Sequence, residues 1–152
     1  MYENRIKLVS DYLKLINLDK EIISNLYGKN ILVTGGAGAI GSNLIIGLSI
    51  LVGKSAKIIV LDNLSSIKSK NPWNVTPMDN IMFVEGDVRS DVDLKRVFKE
   101  DIKIVFHLAA FFANQNSVDF PEVSADVDVL GHIRLLEYSR LANVEKFVYA
   151  SS

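Results

Sequence analysis

The stretch "ILVTGGAGAIGSNL", residues 31–44, sets Gly35, Gly36, Gly38 and Gly41 between a β-branched run and an apolar one. Glycine weakens helices and strands alike, so some other requirement must place four of them here. Gly35, Gly38 and Gly41 form G-x-x-G-x-x-G, following a strand and opening a helix. In that context the first glycine allows a tight turn, the second lets backbone approach a pyrophosphate, and the third lets helix and strand pack closely. The helix N-terminus adds free N–H groups and a partial positive charge that favour an anion. A second strand, "KIIVLD", ends in Asp62, about 20 residues past Gly41, where an acceptor for adenosine ribose hydroxyls is expected. The pair of features reads as a dinucleotide site. A carboxylate at this place repels a 2′-phosphate, which favours NAD over NADP, although Lys68 and Lys70 stand nearby in the following loop.

Three other uses of the glycines fit less well. A nucleoside triphosphate loop needs Lys and then Ser or Thr after its last glycine, whereas Ser42 follows Gly41 directly and the loop holds no Lys. Residues 31–53 carry no charge and reach the length of a membrane span, but Thr34, Ser42, Asn43 and the glycines argue for a buried strand, loop and helix in succession. Glycines serving packing alone would leave Asp62 unexplained.

The elements that must position these residues follow from periodicity. Apolar strands are expected at Ile31–Thr34, Lys57–Leu61, Ile81–Val84, Ile104–Leu108 and Phe147–Ala150, with helices near 40–52, 91–100 and 123–142 between them. Segment 63–80, rich in Ser, Asn, Lys and Pro, reads as a loop. Alternating strands and helices imply right-handed βαβ crossovers and an α/β, doubly wound parallel sheet, Rossmann-like and incomplete. Ahead of it, residues 1–28 form an expected N-terminal helical extension: Val9, Tyr12, Leu13 and Ile16 keep helical spacing, and Asp19 is a candidate N-cap for a second helix ending at Gly28. The dinucleotide-binding domain then covers 29–152.

Composition narrows the function classes. A chain of 152 residues, 49% hydrophobic and 23% charged, has the make-up of a globular domain. The net charge of −1 gives no basic footprint for nucleic acid. Without cysteine there is no disulfide framework, thiolate metal site or thiol nucleophile, and no metal site is assigned. Glu3, Arg5, Lys7 and Asp11 interrupt the N-terminus in a way that does not suit a signal peptide, so a cytoplasmic protein with no membrane partner is expected.

Six ordered motifs carry a family resemblance: "TGGAGAIGS" at 34–42, "LDNLSS" at 61–66, "EGDVRS" at 85–90, "VFHLAA" at 105–110, "VLGHIRLLE" at 129–137 and "KFVYASS" at 146–152. Together they resemble the extended short-chain dehydrogenase/reductase family, the NAD-dependent epimerases and dehydratases that act on nucleotide sugars. The resemblance implies cofactor contacts from Gly35, Gly38, Ala39, Ile40 and Gly41, from Asp62, Asn63 and Ser65, from Asp87 at the adenine edge with Val88 beside the ring, from Leu108, Ala109 and Ala110 at the end of the fourth strand, and from Ala150. The position similar to Asp128 is usually Asn in the family. His107 lies inside an apolar strand and His132 on a helix, and both read as packed side chains rather than bases.

Family catalysis uses a tyrosine as acid or base, a lysine that lowers its pKa, and a Ser or Thr on the substrate hydroxyl; Ser152 matches the last role. No suitable Tyr-x-x-x-Lys occurs in these residues, so the chain reads as the N-terminal portion of a longer enzyme and as inactive alone. The implied function is a nucleotide-sugar epimerase or dehydratase, its substrate a UDP-sugar, working by transient hydride transfer to tightly bound NAD. "DNLSS" and "VYASS" favour epimerase-like members, and the helix at 123–142 occupies a place where relatives pair into homodimers. The alternative is a non-catalytic NAD-binding sensor or scaffold module.

Overall fold

The computed structural model describes residues 2–66, 74–112 and 114–151. Five parallel strands, β1 Asn30–Thr34, β2 Ile58–Asp62, β3 Ile81–Glu85, β4 Ile102–His107 and β5 Lys146–Tyr149, form one sheet in the order β3-β2-β1-β4-β5. All five expected strands are present, with ends shifted by one or two residues. The doubly wound parallel arrangement is therefore as the periodicity implied.

Strand alternation divides the interior into two layers. Ile31 and Val33 of β1, with Ile58 and Val60 of β2, face a cluster built on Ile45, Ile46 and Val52 of α3, Gly41–Val52. Leu32, Ile59 and Leu61 point to the other face, against Leu94 and Val97 of α4, Asp91–Val97, and Leu135 of α7, His132–Leu141. The central strands are covered on both sides, which is why they lack polar alternation.

Two N-terminal helices, α1 Tyr2–Leu15 and α2 Lys20–Leu26, lie on the first layer. Ile6 and Val9 pack against its core, and α1 crosses α3 where Gly47 leaves room for Val9 and Leu13. Asp19 caps α2 by accepting from the Glu21 N–H at 2.9 Å, and Gly28 follows its end at φ +73°. Among the described residues no helix is long and apolar enough to cross a membrane.

The expected single helix at 123–142 is instead three pieces. Pro121 opens α6, Pro121–Ser124; a π-helical segment runs over Ala125–Gly131; and α7 completes it. A further short helix, α5 Asn114–Asp119, precedes them and was not expected, since "NQNSVD" carries no apolar period. The wider π turn lets Asp128 reach back to the segment after β4, and sets Gly131 so close to Val88 that a Cβ there would lie 2.9 Å from Val88 Cγ2. Much of the loop expected at 63–80, including Lys68 and Lys70, lies outside the described residues.

Candidate cofactor site

The strand order reverses between β1 and β4: the chain builds β2 and β3 on one side of β1, then returns to add β4 and β5 on the other. Ligands of such sheets bind outside the carboxyl ends of the strands at this switch point. The glycine loop leaves β1 there. Gly35 adopts φ +70°, and a Cβ on it would lie 2.6 Å from Ala109 N and 2.7 Å from Leu108 C, so the turn after β1 is pressed against the end of β4. A Cβ on Gly41 would overlap Gly35 O and lie 2.7 Å from Gly36 Cα, which fixes how tightly α3 starts against the turn. Gly38 differs. Within 4 Å its Cβ would meet only Gly35 O, at 3.2 Å, and the neighbouring Ala39 and Ile40 are exposed. One face of the loop is therefore open at the uncapped N-terminus of α3, the shape and polarity that suit a pyrophosphate.

Asp62, at the end of β2, is tied into the same loop. Its Oδ2 accepts the Ala37 N–H at 2.9 Å and its Oδ1 the Leu64 N–H at 2.8 Å. A carboxylate offers about four acceptor positions, so two remain for vicinal ribose hydroxyls. Leu64 takes φ +56° in this turn, and the Asn63 Oδ1 accepts the Ser65 N–H at 3.0 Å, leaving Asn63 and Ser65 exposed at the rim.

Asp87 shows the opposite occupancy. Its Oδ1 accepts the Arg89 N–H and Nε–H at 2.9 and 3.0 Å, and its Oδ2 accepts from Arg89 Nη2 at 2.9 Å and Asn63 Nδ2 at 2.8 Å. All four acceptor positions are filled, so reading an adenine amine would require Asn63 or Arg89 to let go. Burial pushes this carboxyl up, but the Arg89 hydrogen bonds and charge, with Asn63, outweigh it and hold the pKa at about 2. Arg89 also reaches Asp126 of the π segment at 3.3 Å, and its own pKa is raised, chiefly by Asp87. Val88 is only 4% exposed and packs in the second core layer, so its side chain faces the core more than an open ring site.

Because the folded-state pKa of Asp87 is depressed below its ordinary 3.8, the stability it contributes is present above pH 4 and is lost as pH falls from about 4 to about 2. Arg89→Gln is expected to flatten this acid limb in denaturant unfolding between pH 4 and pH 2. An unchanged limb would remove Arg89 from the explanation.

The end of β4 forms the remaining wall. Leu108 N–H donates to Thr34 O at 3.0 Å and Ala109 N–H to Thr34 Oγ1 at 3.3 Å, while Ala110 is exposed. Phe111 N–H donates to Asp128 Oδ1 at 2.8 Å, and Asp128 Oδ2 accepts from Ser124 Oγ at 2.9 Å. Asp128 is thus used to hold the segment after β4. Ala150, exposed after β5, donates its N–H to His107 O at 3.2 Å.

His107 itself is 1% exposed, 2.6 Å from Thr34 Oγ1 through Nδ1 and stacked on His132 at 5.1 Å, consistent with a packed role. The structure gathers Gly35, Gly38, Ala39, Ile40 and Gly41 with Asp62 and residues 108–110, sets Asn63, Ser65, Asp87 and Val88 at the β2 and β3 side, and leaves Ala150 at the β5 side. Ser152 lies outside the described residues. Arg89 and Thr34 went unassigned in the sequence; the position of Arg89, two residues after Asp87, was the available signal.

Residues 31–152 match the NAD dependent epimerase/dehydratase family. The chain belongs to that family. A curated UDP-glucose 4-epimerase from Mycolicibacterium smegmatis is 40% identical over 122 residues, 80% of this chain and 38% of its own length. The structure of an epimerase from Methanothermobacter thermautotrophicus superposes with a TM-score of 0.78 at 52% identity, covering 86% of this chain and 37% of that one. A Thermus thermophilus UDP-glucose 4-epimerase solved in complex with NAD gives a TM-score of 0.67 at 33% identity, covering 81% of this chain and 37% of that one. The chain thus spans well under half the length of these relatives.

Proposed function

We propose that the protein is an NAD-dependent nucleotide-sugar epimerase or dehydratase, and that the described residues are its cofactor-binding part. The observation that carries this reading is the coupling of the open glycine loop to Asp62. One carboxylate oxygen holds Ala37 within the loop and the other holds Leu64, which leaves two acceptor positions, the number that vicinal ribose hydroxyls would need. In this reading the Gly38 face and the start of α3 take the pyrophosphate, Asp62 takes the ribose hydroxyls, Ala109 and Ala110 give the cofactor a close backbone surface, and Ala150 borders it. Asn63 and Ser65 line the adenosine rim, with Asp87 bracing that rim through Asn63 and Arg89. NAD, when bound, supplies reversible hydride acceptance at a sugar carbon.

The substrate proposed is a UDP-sugar, because the relatives named above for a substrate are UDP-glucose 4-epimerases. Ser152 keeps its proposed place on the substrate hydroxyl. A cytoplasmic homodimer is the form proposed for the whole protein.

Calorimetric titration of the full-length protein with NAD and with NADP tests the cofactor reading. NAD is expected to bind at least tenfold more tightly, since a 2′-phosphate would be brought against Asp62. A preference for NADP would overturn the role given to that carboxylate.

A further inference from the structure

We propose that Arg5, on the N-terminal helix α1, is a positioning residue for the phosphate-binding glycine loop; the inference rests on the NAD reading above. Arg5 lies outside residues 31–152, which match the family. Its guanidinium donates from Nε and Nη2 to Asn43 Oδ1, both at 3.2 Å, from Nη1 to Asn74 O at 3.1 Å, and from Nη2 to Ser42 Oγ. Each of these residues is bonded in turn to the loop. Asn74 Nδ2 donates to Ala37 O at 2.8 Å, Asn43 Nδ2 to Ala39 O at 3.0 Å, and Ser42 Oγ to Ala39 O at 3.3 Å.

Two loop carbonyls are therefore held by relays that end on one side chain. A peptide unit is planar, so fixing Ala39 O also fixes the direction of the Ile40 N–H, and fixing Ala37 O fixes that of Gly38. The Gly38 N–H closes the turn on Gly35 O at 3.1 Å, and the exposed Ile40 lies on the open side of the loop. With Asp62 holding the Ala37 N–H, the loop is gripped from β2 on one side and from α1 on the other.

Electrostatics points the same way. A cation beside the first turn of a helix opposes the helix dipole. Among the described residues no carboxylate forms an ion pair with Arg5. The arrangement is unfavourable by itself and becomes favourable when an anion occupies the start of α3. The planar fork, which lysine lacks, is what spans three acceptors on two segments.

The test uses the full-length protein with two readouts: hydrogen–deuterium exchange of residues 36–43 without cofactor, and calorimetric titration with NAD. Arg5→Gln is expected to speed loop exchange and weaken NAD binding about tenfold, and Arg5→Lys to fall between it and wild type. Val9→Ala, which trims the packing of α1 over Gly47 without touching the relays, is expected to lower Tm while leaving NAD affinity within twofold and loop exchange unchanged. Wild-type loop exchange in Arg5→Gln, or equal losses in Val9→Ala and Arg5→Gln, would overturn the inference. Faster loop exchange in Arg5→Gln alongside a wild type that binds no NAD would refute the cofactor reading and leave the positioning of the loop standing.

Discussion

Gly35→Ala is expected to destabilise the protein by about 2–5 kcal/mol and to abolish NAD binding. Two costs combine. A non-glycine residue at φ +70° pays the left-handed penalty of about 1–2 kcal/mol, and the added Cβ falls 2.6 Å from a backbone nitrogen of Ala109 that cannot rotate away. Relief requires the end of β4 to move, and Leu108, Ala109 and Ala110 are the wall against which the cofactor is proposed to lie. Gly38→Ala provides the contrast. Its Cβ meets only Gly35 O, at 3.2 Å, so thermal stability should change by less than about 1 kcal/mol while NAD affinity falls tenfold or more, because the methyl enters the open face. Thermal unfolding without cofactor, paired with calorimetric titration, separates the two. Gly35→Ala unfolding at the wild-type temperature would contradict the contact with Ala109. Undiminished NAD binding by Gly38→Ala would place the pyrophosphate elsewhere.

The difference between these glycines marks how far sequence reasoning reaches. Spacing alone identified Gly35, Gly38 and Gly41 as one loop, because the tight turn, the backbone approach and the helix contact each exclude a side chain at a fixed offset. The central strands β1 and β2 were legible because each is a short β-branched run buried on both faces, and Asp19 because a cap is a local hydrogen bond. What escaped is non-local or unperiodic. The π turn at Ala125–Gly131 depends on where Asp128 finds a partner, Phe111 N, which no period reports. The filled carboxylate of Asp87 depends on Asn63, from a different strand end, as well as on its neighbour Arg89. Arg5 registers in the sequence only as a charge within an amphipathic helix, while its acceptors, Ser42, Asn43 and Asn74, lie far along the chain.

Protonation of His107 gives the second large effect. Its Nδ1 lies 2.6 Å from Thr34 Oγ1, and that hydroxyl already accepts the Ala109 N–H. With Nδ1 unprotonated, Ala109 N–H donates to Thr34 Oγ1 and the Thr34 hydroxyl donates to Nδ1; a proton on Nδ1 would take that acceptor away and turn the hydroxyl hydrogen out of the joint. Burial lowers the pKa from 6.5 to about 4, the adjacent His132 adds repulsion, and Asp128 opposes both. Tyr149 and Phe147 complete the surroundings, stacked at 5.5 Å and edge-on at 6.1 Å. With the folded-state value depressed, the native protein binds fewer protons than the unfolded chain between pH 6.5 and about 4. Stability present above pH 6.5 is therefore lost as pH falls through that window, by about 3 kcal/mol. Denaturant unfolding from pH 7 to pH 4 should show the loss, and the Thr34→Val/His107→Leu pair, which removes both partners together, should flatten it. The limb due to Asp87 begins only near pH 4, so the two are resolved on one titration. A wild-type profile level between pH 6.5 and pH 4 would show that His107 is not the group whose charging loosens the joint between β1 and β4. Because that joint carries Ala109, NAD affinity should fall over the same pH range and do so less in the paired variant.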